Sequence, residues 1–219
     1  MGRLSRPEAQ ARTREKVLDA AERAFAAEGF AGASLDRIAE AAGFTRGAVY
    51  SNFADKADLF VAVLERRLER RSTEIAAAMA NTGDPMAFVA SLRSPAWRSD
   101  AAKARRWMLL RDEFRLFALR NRRAAAQLAR HERQERTYYV EATNHLLGQF
   151  GVVPAADTRL IAAILMALDE SLPRQHLIDP DDVPDTAFAD AVGLLLEAAL
   201  GLATQRGRRT AKRAATARR

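Results

Sequence analysis

Apolar residues recur along this chain at steps of three and four, the period of helices buried on one face. The first stripe is Val17, Leu18, Ala21, Ala24 and Phe25. It lies between Ser5 and Glu8, spaced as a capping box with Pro7 in the first turn, and Gly29, so the spacing predicts a helix from near Arg6 to Glu28. Leu35, Ile38 and Ala42 form a second stripe, opened by Ser34 as a cap and stopped by Gly43. Thr45 is the next N-cap, predicting a helix over Arg46 to Phe53 with Val49 and Phe53 inward. Asp55 and Asp58 open another, carrying Leu59, Phe60 and Val63 and continuing to about Met79.

Beyond it, Asp84-Pro85 caps a short helix to about Leu92, broken at Ser94-Pro95. Long helices are expected from Asp100 to Arg120 and from Arg122 to Phe150, with Gly151 and Pro154 ending the second. Asp157 to Leu172 and Pro184 to about Ala203 are the most apolar. They present Leu160, Ile161, Ile164 and Leu168, and then Phe188, Val192, Leu195, Leu196 and Ala199. Each is apolar around more of its circumference than one contact needs, so these residues are expected to form a dimer interface, a four-helix bundle shared with a second copy; two core helices of a monomer are the alternative.

Two short helices joined by a tight turn containing Gly43 are the pattern of a helix-turn-helix, whose second helix enters the major groove. Its outward face here carries Arg46, Gly47, Tyr50 and Asn52: a cation, hydrogen-bonding groups and a glycine that lets backbone approach DNA. Ser34, Thr45 and Lys56 are the expected phosphate contacts, Lys56 because it lies in the first turn of a helix whose N–H groups point at anions.

The run from Arg14 to Leu68, with AERAFAAEGF followed by ASLDRIAEAAGFTRGAVYSNFADKADLF, resembles the N-terminal domain of TetR-type (tetracycline-repressor-like) transcriptional regulators. One departure is Asn52, where many members carry His before the Phe; it bears on which operator is read. The string ALDESLPRQHLIDPDDVPDTAFADAVGLLLEAAL resembles the C-terminal region of a subset of the same family, which extends the resemblance to dimerisation. The resemblance implies an all-α fold, with an N-terminal three-helix helix-turn-helix domain over 1–60 and a helical ligand-binding and dimerisation bundle over 61–205. It also implies a homodimer on a palindromic double-stranded operator and a small-molecule effector held in the bundle, whose binding favours a dimer shape that no longer fits the operator.

Charge changes the picture less than its total suggests. The net charge is +7, yet residues 1–60 hold nine basic and nine acidic residues, 61–205 hold nineteen of each, and 206–219 hold seven and none. All the excess is in RGRRTAKRAATARR, expected to be a disordered basic tail that either adds salt-sensitive DNA affinity or is an inert solubilising segment. Basic groups near the N-terminus, Arg3 among them, must act by position. The chain has no cysteine, so disulfides and thiolate metal sites are excluded. No apolar run reaches the roughly 18 residues of a membrane span, and MGRLSRPEAQARTREK lacks a signal-peptide core, so the expected location is cytoplasmic with no membrane partner.

Catalytic chemistry finds no footing. His131, His145 and His176 are far apart, Asp112-Glu113 and Asp169-Glu170 are neighbours that point about 100° apart on a helix, and no phosphate-cradling glycine motif occurs. No catalytic residue, metal site or cofactor is expected. Bulky side chains in the middle region, Trp97, Trp107, Met108, Phe114, Phe117, Tyr138, Tyr139 and Met166, either pack a core or line a pocket for an apolar or amphipathic effector. Arg111, Glu113, Asp169 and Glu170 are its candidate polar anchors. The alternatives to a ligand-responsive repressor are an architectural DNA-coating protein without effector and an enzyme built on a helical bundle.

Overall fold

The side chain of Ser5 accepts the N–H of Glu8, and the Glu8 carboxylate accepts the Ser5 N–H at 2.8 Å. This reciprocal cap starts α1 (Arg6–Gly32) where the sequence placed it. The structure is a computed structural model that describes residues 5–94, 101–149, 151 and 157–198. Within α1 the backbone leaves helical geometry at Gly29, with φ +77 and ψ 174, one residue beyond the expected end. Then follow α2 (Leu35–Ala42), ended by Gly43 in the left-handed conformation, and α3 (Arg46–Tyr50), capped by the Thr45 hydroxyl on the Ala48 N–H. Ser34 stands at the N-cap position of α2, but its side chain makes no cap bond, contrary to expectation. The chain continues as α4 (Lys56–Thr82), α5 (Pro85–Leu92), α6 (Ala101–Arg120), α7 (Arg122–Gln149) and α8 (Thr158–Ile178). Residues 187–198 are helical as α9. Among the described residues the fold is all-α.

Several boundaries differ from expectation for local reasons. The second reading-head helix ends at Tyr50, three residues early, because the Asn52 side chain donates to the Ala48 carbonyl at 2.8 Å and competes with helical pairing. The helix after Asp157 continues through Pro173 to Ile178 instead of ending at Leu172. A single proline removes one N–H, and the turns beyond it close with the Asp179 N–H on the Gln175 carbonyl at 2.8 Å.

Two compact units arise. The first takes in residues 1–71 together with 101–133, so it is larger than the expected 1–60 segment: α6 and the start of α7 pack on the reading head. Its centre is a ring cluster. Phe60 and Phe114 have centroids 4.5 Å apart, Phe30 and Phe114 4.9 Å, Phe25 and Phe60 5.1 Å. Each buried phenyl contributes about 1.5–3 kcal/mol by leaving water. Of the expected inward residues, Val17, Leu18, Ala21, Phe25, Ile38, Val49, Phe53, Leu59, Phe60 and Val63 are buried, and Ala24, Leu35 and Ala42 are half-buried. Arg66, 7 % exposed, fastens α4 to α1 through Glu15, Asp19 and Glu22, at 3.5, 2.8 and 2.7 Å. Burial raises the Glu22 pKa, but the hydrogen bonds and charges of Arg67 and Arg66 outweigh it and hold the carboxyl below its ordinary value.

The second unit takes in the described residues among 72–100 and 134–219. Val89, Leu147, Val192 and Leu196 form one core cluster, Met79, Phe88 and Leu146 another, and Arg93 pairs with Asp190 at 2.7 Å. This corrects part of the expected interface: Val192 and Leu196 are buried in the chain's own core, with Phe188 packed against them. They close on α5, which supplies the apolar partner that sequence spacing had left open. Leu160 and Ile164, one turn apart on α8, remain 58 % and 41 % exposed, and Ile161, Leu168 and Leu195 are half-buried. Ala199, Trp97, Arg3 and the tail 206–219 lie outside the described residues.

Candidate nucleic-acid interface

The anchor of the reading head is built by Val49 and Phe53. Both are buried, and their insertion fixes which side of α3 faces out. Thr45, Arg46, Gly47 and Tyr50 occupy that outer side and are exposed, Tyr50 at 42 %. At Gly47 a side-chain methyl would meet nothing nearer than Thr45 Oγ1 at 3.9 Å, so the surface there is flat. Arg14 stacks its guanidinium 4.7 Å from the Phe53 ring and braces the same end of the unit from α1.

Arg46 is held in position before any DNA arrives. Its Nε lies 3.1 Å from Asp36 Oδ1, its Nη2 donates to the Tyr50 hydroxyl at 3.3 Å, and its guanidinium lies 5.3 Å from the Tyr50 ring centroid. The Tyr50 hydrogen bond, then the Asp36 charge, raise its already high pKa. Asp36 was not legible as a site residue: its ten-residue separation from Arg46 obeys no helical period, and only the turn at Gly43 brings the two together.

The remaining expected contacts divide. Thr45 Oγ1 accepts the Ala48 N–H and keeps its own proton to donate outward. Ser34 is half-buried with its hydroxyl outside any cap. Asn52 is half-buried, its amide turned back onto the Ala48 carbonyl. Lys56 departs most. Its ammonium donates to the carbonyls of Ala31 and Ala33, both at 3.0 Å, and lies 4.8 Å from the Phe30 ring, satisfying the C-terminal end of α1 rather than standing free in a helix first turn. Burial lowers its pKa, opposed by Glu113.

The residues expected at an effector pocket divide between the two units: Trp107, Met108, Arg111 and Phe114 belong to the first and Tyr138, Met166 and Asp169 to the second. Trp107 is buried with the Arg67 guanidinium 3.9 Å over its ring, and Phe114 is the middle of the ring cluster. Glu113, expected as a ligand anchor, instead accepts the backbone N–H groups of Phe30 and Ala31, and Asp169 accepts the Tyr139 hydroxyl at 2.6 Å. A cleft of about 640 Å³ opens elsewhere in the first unit, at the end of α1, the start of α4 and the α6–α7 corner. Its wall includes Phe117, which was among the pocket candidates, and Gln127 and Arg120, which were not. Among the described residues no group of three or more His, Asp or Glu could hold a metal ion, and no helix is long and apolar enough to cross a membrane.

Residues 17–63, the stretch that builds this surface, match the family described as bacterial regulatory proteins, tetR family. The HTH-type transcriptional regulator AcrR of Shigella flexneri is 36% identical over 111 residues, 50% of this chain and 51% of that protein. TtgR of Pseudomonas putida, another HTH-type transcriptional regulator, is 49% identical over 65 residues, 30% of each chain. The chain thus spans about half the length of the first relative and less than a third of the second. The structure of FadR from Bacillus subtilis, in complex with stearoyl-CoA, superposes with a TM-score of 0.60 at 16% identity, covering 83% of this chain and 96% of that one. At that identity the likeness is one of fold.

Proposed function

We propose that the chain, whose residues 17–63 match the tetR family of bacterial regulatory proteins, is a ligand-responsive repressor that binds a palindromic operator in double-stranded DNA as a homodimer. The observation that carries this reading is the outer face of α3. Arg46, Gly47 and Tyr50 stand together in solvent, while Val49 and Phe53 root the same short helix in the core. A pre-held arginine suits bidentate hydrogen bonding to a guanine edge, and a tyrosine beside a glycine offers a hydroxyl and a close backbone approach. Thr45 and Ser34, with hydroxyls free to donate, flank that face at phosphate positions. Asn52 reaches the DNA only by giving up its bond to Ala48, and Lys56 braces α1 instead of a phosphate.

Two reading heads on successive major-groove faces require roughly 34 Å between them, which a second copy provides. Leu160 and Ile164, exposed one turn apart on α8, with Ile161, Leu168 and Leu195 beside them, support pairing along α8. A small apolar or amphipathic effector, such as the acyl-CoA bound by the fold-relative FadR, releases the operator by binding unequally to the two dimer shapes. The protein acts on DNA in the cytoplasm, and its relatives are regulators, not enzymes.

Selection of bound sequences from a random DNA pool, followed by footprinting, tests the proposal. One protected palindrome with two half-sites about a helical turn apart supports it. Uniform protection, lost steeply as salt rises, replaces it with sequence-independent coating. Sedimentation of Leu160→Glu and Ile164→Glu variants tests the pairing face: both should be monomeric and should bind a single half-site weakly.

A further inference from the structure

We propose that the cleft at the end of α1, the start of α4 and the α6–α7 corner binds a small amphipathic monoanion. The walls are apolar, made by Phe30, Ala57, Leu116, Phe117 and Ala124, and the volume of about 640 Å³ falls within the range of roughly 300–1,000 Å³ typical of small-molecule sites.

Charge selects the sign of the ligand. Lys56, Arg120 and Arg123 line the cleft against Asp55 and Glu113, three cations and two carboxylates, leaving one positive charge. Four of these five are committed. Arg123 pairs with Asp55 at 3.2 Å, Lys56 donates to the carbonyls of Ala31 and Ala33, and Glu113 accepts two backbone N–H groups. Arg120 is exposed at the mouth and, among the described residues, has neither an ion pair nor a hydrogen bond. Its fork of N–H donors fits a carboxylate or sulfonate.

The ligand class is therefore an aryl or acyl acid. Of the residues expected at an effector pocket, Phe117 and Glu113 line this cleft. The claim concerns binding alone, and it stands or falls independently of operator recognition.

The test uses the full chain and the dye 8-anilinonaphthalene-1-sulfonate, an aryl monoanion, titrated by fluorescence. Arg120→Glu and Leu116→Glu, both at exposed positions that leave the core intact, should each weaken its binding by about tenfold or more. Circular dichroism melting shows that each variant is folded. Wild-type affinity retained by Arg120→Glu or by Leu116→Glu overturns the proposal.

Discussion

The carboxylate of Glu113 accepts the backbone N–H of Phe30 at 2.9 Å, tying α6 to the end of α1 across eighty-three positions of sequence. Its second oxygen accepts the Ala31 N–H at 2.7 Å. The backbone turns at Gly29, so these two donors leave the helical ladder, and the carboxylate supplies the acceptors they lose. A residue placed by its charge among ligand anchors is thus a clamp inside the reading-head unit.

Replacing Glu113 by alanine strands the Phe30 donor, whereas the exposed Ala31 N–H can turn to water, and should lower stability by about 1–3 kcal/mol. Glu113→Gln should fall between, because an amide oxygen can still accept one of them. Urea unfolding followed by circular dichroism measures both. Equal stability of wild type and Glu113→Ala would show that water satisfies the turn.

Two glycines should respond to alanine in opposite ways. At Gly29, φ is +77 and ψ 174, and an added Cβ would lie 2.8 Å from Glu113 Oε2, so Gly29→Ala should cost about 1–3 kcal/mol from the backbone alone. Gly47 is helical with open space around it, so Gly47→Ala should leave the melting temperature unchanged or slightly raised. Its methyl would nevertheless stand on the proposed DNA face, and operator affinity should fall. Melting curves and mobility shifts on the same two proteins separate the backbone role from the surface role.

Arg46→Ala should cost about 1–3 kcal/mol of operator binding and relax one base position. Because Asp36 holds Arg46 and places a negative charge beside the DNA face, Asp36→Asn should strengthen binding to all sequences alike and reduce discrimination. Measured against the selected operator and a scrambled one, a unit-for-unit loss at both in Arg46→Ala would move that residue from base reading to phosphate contact.

His131 gives the unit an acid-sensitive point. It is 3 % exposed, and burial, with Arg111 and Arg115 adding to it, lowers its pKa from 6.5 to about 4. The unfolded chain therefore binds a proton more readily than the folded one between those values. Stability from this group is complete above pH 6.5 and is lost as pH falls toward 4, by about 3 kcal/mol. His131→Leu should remove that part of the acid dependence while keeping most of the stability at pH 7. Denaturation midpoints from pH 7 to 4 decide it.

Local rules were readable in the residues themselves. Ser5 with Glu8, Asp84 before Pro85, and Thr45 before Arg46 start helices where they were expected because a cap involves groups within three residues of each other. The inward set from Val17 to Val63 followed from helical period alone, and with it the outer face of α3. Spacing could not choose among equivalent partners distant in sequence. Asp36 rather than another carboxylate meets Arg46, and Glu113 meets a backbone turn instead of a ligand. Lys56 turns onto α1, and Val192 and Leu196 close on the chain's own α5 cluster. Chain approach in three dimensions makes those choices, because a charge or an apolar stripe states what kind of partner it needs and only packing decides which one is within reach.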